Sequence, residues 1–134
     1  MPKAIDVAYV VYQVNDLDRM ESFMQDFGLV TAEKRSDALF MRGACPAPFI
    51  HMTVKGEDNR FVGGAMQMAS KADLEALAAL PGSSAVEPIT DLPGGGWRVR
   101  MHTPDGVALD GVWGQRPSAA LPLREPHAFN AGTV

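Results

Sequence analysis

One predicted strand near the end of the chain carries the side chains best suited to bind a ligand. Arg98, Arg100 and His102 alternate along residues 97–103, and alternate residues of a strand point to the same face of its sheet. Three such groups on one face can hold a carboxylate or a phenolate through charge-assisted hydrogen bonds. The same alternation is also typical of the solvated outer face of an edge hairpin, so the sequence leaves both interpretations open.

A second group of titratable residues is spread over several predicted strands. His51 lies on the predicted strand 49–55, and Tyr9, His102 and Asp110 lie on others. If these strands enclose one cavity, the four side chains can approach one another and line it. They lack any recognised metal-ligand spacing, such as two histidines one helical turn apart. We therefore expect solvated or hydrogen-bonded histidines here and no metal ion.

The elements that would position these residues occur twice in the sequence. Asp16 and Ser70 each follow an apolar, strand-like stretch, and each can cap the helix that comes next. Gly28 and Gly82 can end these two helices, and they are separated by the same number of residues as the two caps. Such self-similarity predicts two copies of one small unit, and two such units usually enclose a shared cavity.

The predicted fold class is α+β, with paired βαβββ modules that form a curved mixed sheet around a cavity. The two repeats cover residues 5–56 and 61–114 of a single domain, residues 1–114. Residues 115–134 contain prolines and no hydrophobic period, which predicts a linker or C-terminal tail. Residues 5–14 are almost continuously apolar, which predicts a strand buried on both faces. The other predicted strands are 29–34, 38–42, 49–55, 61–69, 85–89, 97–103 and 107–113.

Composition excludes several classes of protein. An apolar content of 46% over 134 residues supports a globular domain with a core. A net charge of −4 and a pI near 5.2 argue against a nucleic-acid partner, which needs a clustered basic face. The single cysteine, Cys45, excludes an internal disulfide and favours the reducing cytoplasm. No apolar run approaches the roughly 20 residues that span a bilayer, so we expect no membrane partner.

Three motifs within roughly residues 5–114 resemble a known superfamily. They are Val14-Asn-Asp16-Leu17, Phe27-Gly28-Leu29, and His102-Thr-Pro104-Asp105-Gly106 followed by an acid at Asp110. In this order they are similar to the vicinal oxygen chelate superfamily of glyoxalases, bleomycin-resistance proteins and extradiol dioxygenases. The resemblance implies a glyoxalase/dioxygenase-like fold, with metal ligands on the first strand of each half and on the last strand.

The ligand positions implied by this resemblance are Tyr9, Gly63 and Asp110. Only Asp110 keeps a carboxylate, since a phenol is a poor ligand unless it is deprotonated and glycine offers no ligand. One carboxylate alone cannot hold a catalytic ion. The resemblance therefore implies that this module carries no catalytic metal of its own.

A further segment narrows the resemblance. Pro48-Phe-Ile-His51-Met-Thr-Val-Lys-Gly56, running into Arg60-Phe-Val-Gly-Gly, resembles the first module of two-module extradiol ring-cleavage dioxygenases. There the first module is usually a metal-free structural copy, and a second module carries Fe(II). The segment Leu121-Pro-Leu-Arg-Glu-Pro-His-Ala-Phe-Asn130 looks like the connector between such modules. If the chain is such a first module, we expect it to be part of a longer oxidoreductase.

Two functions from different classes are thus in competition. In the first, the chain is the non-catalytic module of an extradiol dioxygenase acting on catechol-like rings. In the second, it is a metal-independent binding protein of the bleomycin-resistance type that holds a small aromatic or apolar ligand. A metal-dependent lyase or isomerase of the glyoxalase type ranks third, because it needs metal ligands at the positions that Tyr9 and Gly63 occupy. In each case open strand edges favour a homodimer or a higher oligomer.

Overall fold

The described part of the chain folds into one mixed sheet with two helices. The computed structural model describes residues 2–119. Within that range the elements are β1 (Ala4–Val14), α1 (Leu17–Asp26), β2 (Val30–Lys34), β3 (Ala38–Arg42), β4 (His51–Lys55), β5 (Arg60–Met68), α2 (Lys71–Ala78), β6 (Glu87–Pro88), β7 (Trp97–His102) and β8 (Ala108–Trp113). Their order across the sheet is β2-β3-β4-β1-β5-β8-β7-β6. The α+β class and the paired βαβββ order predicted from the sequence are confirmed.

Strands β1 and β5 join the two halves at the centre of the sheet. β1 runs parallel to β4, β5 runs parallel to β8, and β1 and β5 are antiparallel to each other. In the first half, Val10 pairs with His51. In the second half, Gly64, which the sequence repeat aligns with Val10, pairs with Leu109. Positions on β1 and β4 therefore have equivalents on β5 and β8 in the same register.

Both helices begin directly after the predicted caps, and α1 ends before Gly28 as predicted, whereas α2 already ends at Ala78, four residues before Gly82. The Asp16 carboxylate accepts the backbone N–H three residues further on at 3.0 Å, and the Ser70 hydroxyl accepts the corresponding N–H at 3.1 Å. Gly28 and Gly82 follow the helices with φ of 98° and 83°, a region that favours glycine. Neither α1 nor α2, the helices of the described range, is long and apolar enough to cross a membrane.

The helices cover one side of the sheet, here called the helix face. Leu17 of α1 packs against Leu39 and Met41 of β3, and Leu74 of α2 packs against Val99 of β7. Directly paired residues of neighbouring strands lie on the same face. One row of paired residues on this face crosses the sheet from the α1 contacts to the α2 contacts, through Met41, His51, Val10, Gly64, Leu109 and Met101. Both helices therefore lie on the same side.

The opposite side, here called the cleft face, holds an aromatic core cluster drawn from both halves. Tyr9 and Phe49 have ring centroids 4.6 Å apart, and Phe40 meets Phe49 edge-on at 5.1 Å. Val112 of β8 and Ile89 complete the cluster from the second half. Because Phe40, Phe49 and Val112 are almost fully buried, this cluster fixes how the halves curve toward each other.

The first part of β1 differs from the prediction. The sequence predicts burial on both faces, yet Ile5 is 61% exposed and Val7 is 56% exposed. The reason lies in where the helices sit: α1 packs on β2, β3 and β4, and α2 packs on β5, β7 and β8. Asp73 of α2 accepts the N–H of Lys3 just before β1, but neither helix covers Ile5 and Val7, so these apolar side chains remain at the surface.

The segment after β8 connects the two halves. The N–H of Arg116 donates to the Gly94 carbonyl at 2.8 Å, and the N–H of Ser118 donates to the Pro46 carbonyl at 2.7 Å. Residues 114–119 therefore run from the second half to the first. Residues 120–134 of the predicted linker or tail lie outside the described residues.

The duplicated caps give the first testable prediction. Asp16→Ala and Ser70→Ala each remove the acceptor of a helical N–H, so each should lower the free energy of unfolding by about 1 kcal/mol. Ser22→Ala is the matched control, because Ser22 is exposed within α1 and should change stability by less than about 0.5 kcal/mol. Urea denaturation measures all three; equal losses in caps and control would refute the capping contribution.

Candidate functional site

A cleft of about 170 Å³ opens on the cleft face between the two halves. Tyr9, Asp110 and Arg100 lie in one row across the central strands, because Tyr9 pairs with Ala65, Ala65 with Asp110, and Asp110 with Arg100. The cleft is lined by Tyr9, Val11, Met52, Val62, Gly63, Gly64, Asp91, Leu92, Arg98, Arg100, Ala108 and Asp110. The structure thus brings together four of the sequence-predicted cavity residues, namely Tyr9, Arg98, Arg100 and Asp110.

A phenol and a carboxyl group form the centre of this cleft. The Tyr9 side chain is only 3% exposed. Burial, and to a lesser extent the charge of Asp110, raises the pKa of the Tyr9 phenol far above its ordinary value. Burial also raises the pKa of Asp110, while the charges of Arg100 and Arg98 oppose that rise. Tyr9 is therefore a neutral phenol at neutral pH, and it can act as a hydrogen-bond donor but not as an anionic ligand.

Arg98 is held by ion pairs within the protein. Its Nε donates to Glu87 Oε1 at 2.7 Å and its Nη1 donates to Asp91 Oδ1 at 3.0 Å. Arg100 Nε shares the same Glu87 oxygen at 3.1 Å. The buried guanidinium of Arg98 is thus already neutralised by two carboxylates, whereas Arg100 keeps half of its side chain exposed.

Sequence reasoning missed Glu87 and Asp91, the two partners of Arg98. Both precede the basic strand, and Glu87 reaches Arg98 only because β6 pairs with β7 in the register Glu87 to Arg98. The sequence signal for this pairing is weak, since β6 contains only two residues. Acidic residues shortly before a basic strand are the one clue that could have suggested ion pairing rather than a free basic row.

The side chains at equivalent positions of the two halves show whether the cleft has enough ligands for a metal ion. The shared register makes Tyr9 equivalent to Gly63 and Met52 equivalent to Asp110. These four positions offer a protonated phenol, a thioether, no side chain and one carboxylate. Hard divalent ions prefer several oxygen or imidazole ligands. Within residues 2–119 no group of three or more His, Cys, Asp or Glu side chains could hold a metal ion, so this donor set does not fit the metal implied by the resemblance.

Gly63 also lacks the space for a ligating side chain. A Cβ built at this position would lie 1.9 Å from the carbonyl oxygen of Ala108. This oxygen belongs to the backbone of β8, which pairs with β5 through Gly63. A histidine at position 63 would therefore need β5 and β8 to separate.

His51 does not line the cleft, contrary to the prediction. It lies on the helix face, where its ring stacks on Tyr12 with centroids 5.2 Å apart and planes 4° apart. Its Nδ1 is 3.3 Å from the hydroxyl oxygen of Thr53. The alternation of β4 was read correctly, but only the pairing with Met41 and Val10 decides which of its two faces meets the helices.

His102 lies on the cleft face at the edge of the cleft. It pairs with Ala108, which itself lines the cleft, and it remains exposed. The charge of His102 opposes the rise in the pKa of Asp110, but it does so less than the charges of Arg100 and Arg98. The structure therefore places His102 near the cationic side of the cleft, but among exposed residues.

Comparison with known proteins shows the fold of the chain. No protein-family model and no curated sequence matches it. Among solved structures, the Mn(II)-bound glyoxalase from Novosphingobium aromaticivorans superposes with a TM-score of 0.81 at 23% identity, over 93% of this chain and 44% of that one. Homoprotocatechuate 2,3-dioxygenase from Arthrobacter globiformis follows with 0.75 at 21% identity, over 90% and 39%. An extradiol ring-cleaving dioxygenase from B. fuscum gives 0.73 at 19% identity, over 87% and 34%.

These matches confirm the glyoxalase and extradiol dioxygenase-like fold that the sequence motifs imply. Since all three identities lie below 25%, they establish the fold alone. The chain spans less than half of the length of each of these proteins.

The crowding at Gly63 gives the second prediction. Gly63→Ala forces a methyl group against the Ala108 carbonyl oxygen and should lower the free energy of unfolding by about 2 kcal/mol or more. Gly43→Ala is the matched control, because its added Cβ would meet only Ile50 Cδ1 at 3.7 Å. It should be neutral or stabilise by roughly 0.5 kcal/mol. Urea denaturation compares the two, and equal stability would show that position 63 tolerates a side chain.

The environment of His51 gives the third prediction. Burial lowers the pKa of its imidazole below the ordinary 6.5. As the pH falls below about 6.5, the unfolded chain therefore takes up this proton first, and the free energy of unfolding decreases until the pH passes the lower pKa of the folded state. His51→Phe keeps the aromatic stack on Tyr12 and should remove this decrease.

Thermal melts between about pH 7.5 and pH 5 measure the effect. His102→Gln is the control, because His102 is exposed, and it should keep the wild-type decrease. Asp110, whose pKa burial raises, is common to all three proteins. An unchanged pH dependence in His51→Phe would contradict the assignment.

Proposed function

We propose that the chain is the non-catalytic module of an extradiol ring-cleavage dioxygenase and acts as a structural unit. The observation that supports this proposal best is the donor set at the four equivalent cleft positions. Tyr9, Met52, Gly63 and Asp110 together supply a single carboxylate, and Gly63 has no room for a side chain. In such a protein the Fe(II) and the ring-cleavage chemistry would belong to another module.

The composition of the cleft face supports a structural role. The rings of Tyr9, Phe40 and Phe49 fill much of the space between the halves. The remaining volume of about 170 Å³ is below the roughly 300 Å³ at which ligand pockets of ordinary size begin.

The length of the similar structures is consistent with this role. Two of the solved proteins with this fold are extradiol dioxygenases, and the chain covers only 39% and 34% of them. A unit of this size therefore accounts for less than half of such a protein. Within it, the contribution of this chain would be to pack, to hold the register of β1 and β5, and to support oligomer contacts.

A metal-independent binding protein is the second candidate. Arg100, whose side chain is half exposed, lines the remaining cleft together with Tyr9 and Asp110, and a small aromatic or apolar ligand could meet all three. The ion pairs of Arg98 with Glu87 and Asp91 weigh against a strong anion site, because the buried cation is already neutralised.

Metal loading tests the proposal directly. The chain is incubated anaerobically with Fe(II), or separately with Mn(II), freed of unbound ion, and analysed for metal content. We expect far less than one equivalent per chain and no catechol cleavage, because the donor set is too small. Asp110→Asn is the control, and its metal content should be the same trace amount as that of the wild type. One equivalent of metal that is lost in Asp110→Asn would overturn the proposal.

A titration with catechol, followed by NMR, separates the two candidate functions. A structural module should show no saturable shift at the cleft. Saturable shifts at Tyr9 and Asp110 that disappear in Arg100→Gln would favour the binding protein. His102→Gln, at the rim of the same face, serves as the matched variant that should leave such shifts in place.

A further inference from the structure

We propose that Asp91 and Leu92 fill the cleft in place of a small aromatic carboxylate, which binds only when the loop that carries these two residues moves aside. Both residues line the cleft, and both lie between β6 and β7. Residues 90–93 are here called the loop tip. The inference goes beyond the proposed structural role and does not rest on it, because it concerns how the chain itself fills its cleft.

The two ends of the loop tip are fixed to the second half. The N–H of Ile89 donates to the Gly96 carbonyl at 2.8 Å, and the N–H of Arg116 donates to the Gly94 carbonyl at 2.8 Å. Gly94 and Gly95 have φ of 86° and 57°, a region that glycine adopts at little cost. A short loop whose ends are held together is compact, and small residues beside it can absorb its movement. The tip can therefore move while β6 and β7 stay in place.

Two hydrogen bonds hold the loop tip across the cleft. Arg98 Nη1 donates to Asp91 Oδ1 at 3.0 Å, and Arg35 Nη1 donates to the Asp91 carbonyl oxygen at 2.6 Å. Arg35 is oriented by its ion pair with Glu33 and by Phe40, since its Cζ lies 4.8 Å from the centroid of that ring. Because Arg35 belongs to the first half and Asp91 to the second, the tip closes the cleft by connecting the two halves.

Asp91 is the more easily displaced of the two carboxylates on Arg98. Glu87 belongs to β6, whose pairing with β7 places it opposite Arg98, and its Oε1 also contacts Arg100. Asp91 lies outside the strands, and its side chain is 54% exposed. An ion pair with such an exposed partner contributes little net stability. A competing anion can therefore replace Asp91 while Glu87 stays in place.

Withdrawal of Asp91 leaves a positive charge at the wall of the cleft. Arg98 and Arg100 then share a single oxygen of Glu87, so one of the two guanidinium charges is uncompensated. Burial raises the pKa of Asp110, so this carboxyl opposes an anion less than an ordinary aspartate does. The neutral Tyr9 phenol adds a hydrogen-bond donor to the same cleft. A carboxylate is well suited to this combination, because its hydrogen bonds to a guanidinium are charge-assisted.

The two side chains of the loop tip also define the class of ligand. Asp91 presents a carboxylate, and the adjacent Leu92 packs against the core cluster that contains Tyr9 and Phe49. A ligand that replaces both must therefore join an anionic group to an apolar one. Aromatic neighbours favour a ring as the apolar group, and the volume of about 170 Å³ restricts its size. Benzoate has these features, and benzyl alcohol offers a similar ring without the charge.

An NMR titration with benzoate, at neutral pH and physiological ionic strength, tests the proposal on the full chain. Only wild-type molecules with the tip displaced can bind, and the apparent affinity falls in proportion to their fraction. Asp91→Asn and, separately, Asp91→Ala remove the competing charge and should bind benzoate about tenfold more tightly or better. Circular dichroism verifies that each variant is folded, and the second variant keeps the test valid if the first fails to fold.

Asp26→Ala is the matched control for these variants. Asp26 is an exposed aspartate at the end of α1, so its removal changes the net charge by the same amount. Because salt screens exposed charges that lie far from the cleft, the affinity of Asp26→Ala for benzoate should stay within about twofold of the wild type.

Arg35→Gln separates movement of the tip from a simple charge effect. Arg35 does not line the cleft, and loss of its positive charge would by itself weaken the binding of an anion. We nevertheless expect Arg35→Gln to bind benzoate about threefold more tightly or better, because it frees the Asp91 carbonyl and increases the fraction of molecules with the tip displaced. Faster amide hydrogen exchange at Asp91 and Leu92 should accompany this gain. Arg19→Gln removes the same charge from an exposed position on α1 and should produce neither effect.

Several results would overturn the proposal. One is a wild type that binds benzoate as tightly as Asp91→Asn, and another is a failure of both Asp91 variants to gain affinity. A gain in these variants without a gain in Arg35→Gln would show that the charge of Asp91 alone excludes the anion, with no movement of the tip. An equal gain for benzyl alcohol would show that the freed guanidinium is not used. None of these outcomes depends on metal content, so metal loading tests the structural role separately.

Discussion

The close approach of three backbones at Gly63 and Gly64 is the constraint on which the rest of the structure depends. A Cβ at Gly63 would overlap the Ala108 carbonyl oxygen, and one at Gly64 would lie 2.9 Å from the Tyr9 carbonyl oxygen. Two adjacent residues without side chains let β5 pair with β1 on one side and with β8 on the other. These contacts join the halves and fix the register across the centre of the sheet.

The backbone packing at Gly63 leaves no room for a side chain that could bind a metal ion. The position where the repeat would supply a second ligand is filled by a neighbouring backbone, and its counterpart Tyr9 is a buried phenol that packs on Phe49. The same side of the sheet is stabilised by an aromatic core and by the ion pairs of Arg98. Interactions that could have been directed at a ligand are made within the protein.

Local signals in the sequence predicted part of this structure well. The caps Asp16 and Ser70 and the glycines Gly28 and Gly82 act within one or two turns of chain, so their effects follow from nearby residues. Tyr9 lies in the cleft, at a position identified through the family resemblance rather than through a local pattern. His51 was placed on the wrong face, since alternation along a strand shows that two faces differ but not which of them meets the helices.

The sequence by itself determined the duplicated βαβββ order and the helix starts after Asp16 and Ser70, because each of these depends on residue type and spacing along the chain. Only the tertiary structure decided which faces of the strands are covered, how Glu87 and Asp91 neutralise Arg98, and that Gly63 has no space for a side chain. It also left the start of β1 exposed where the sequence predicted burial. These features depend on contacts between residues far apart in the chain, and such contacts are set by strand register and helix placement rather than by local pattern.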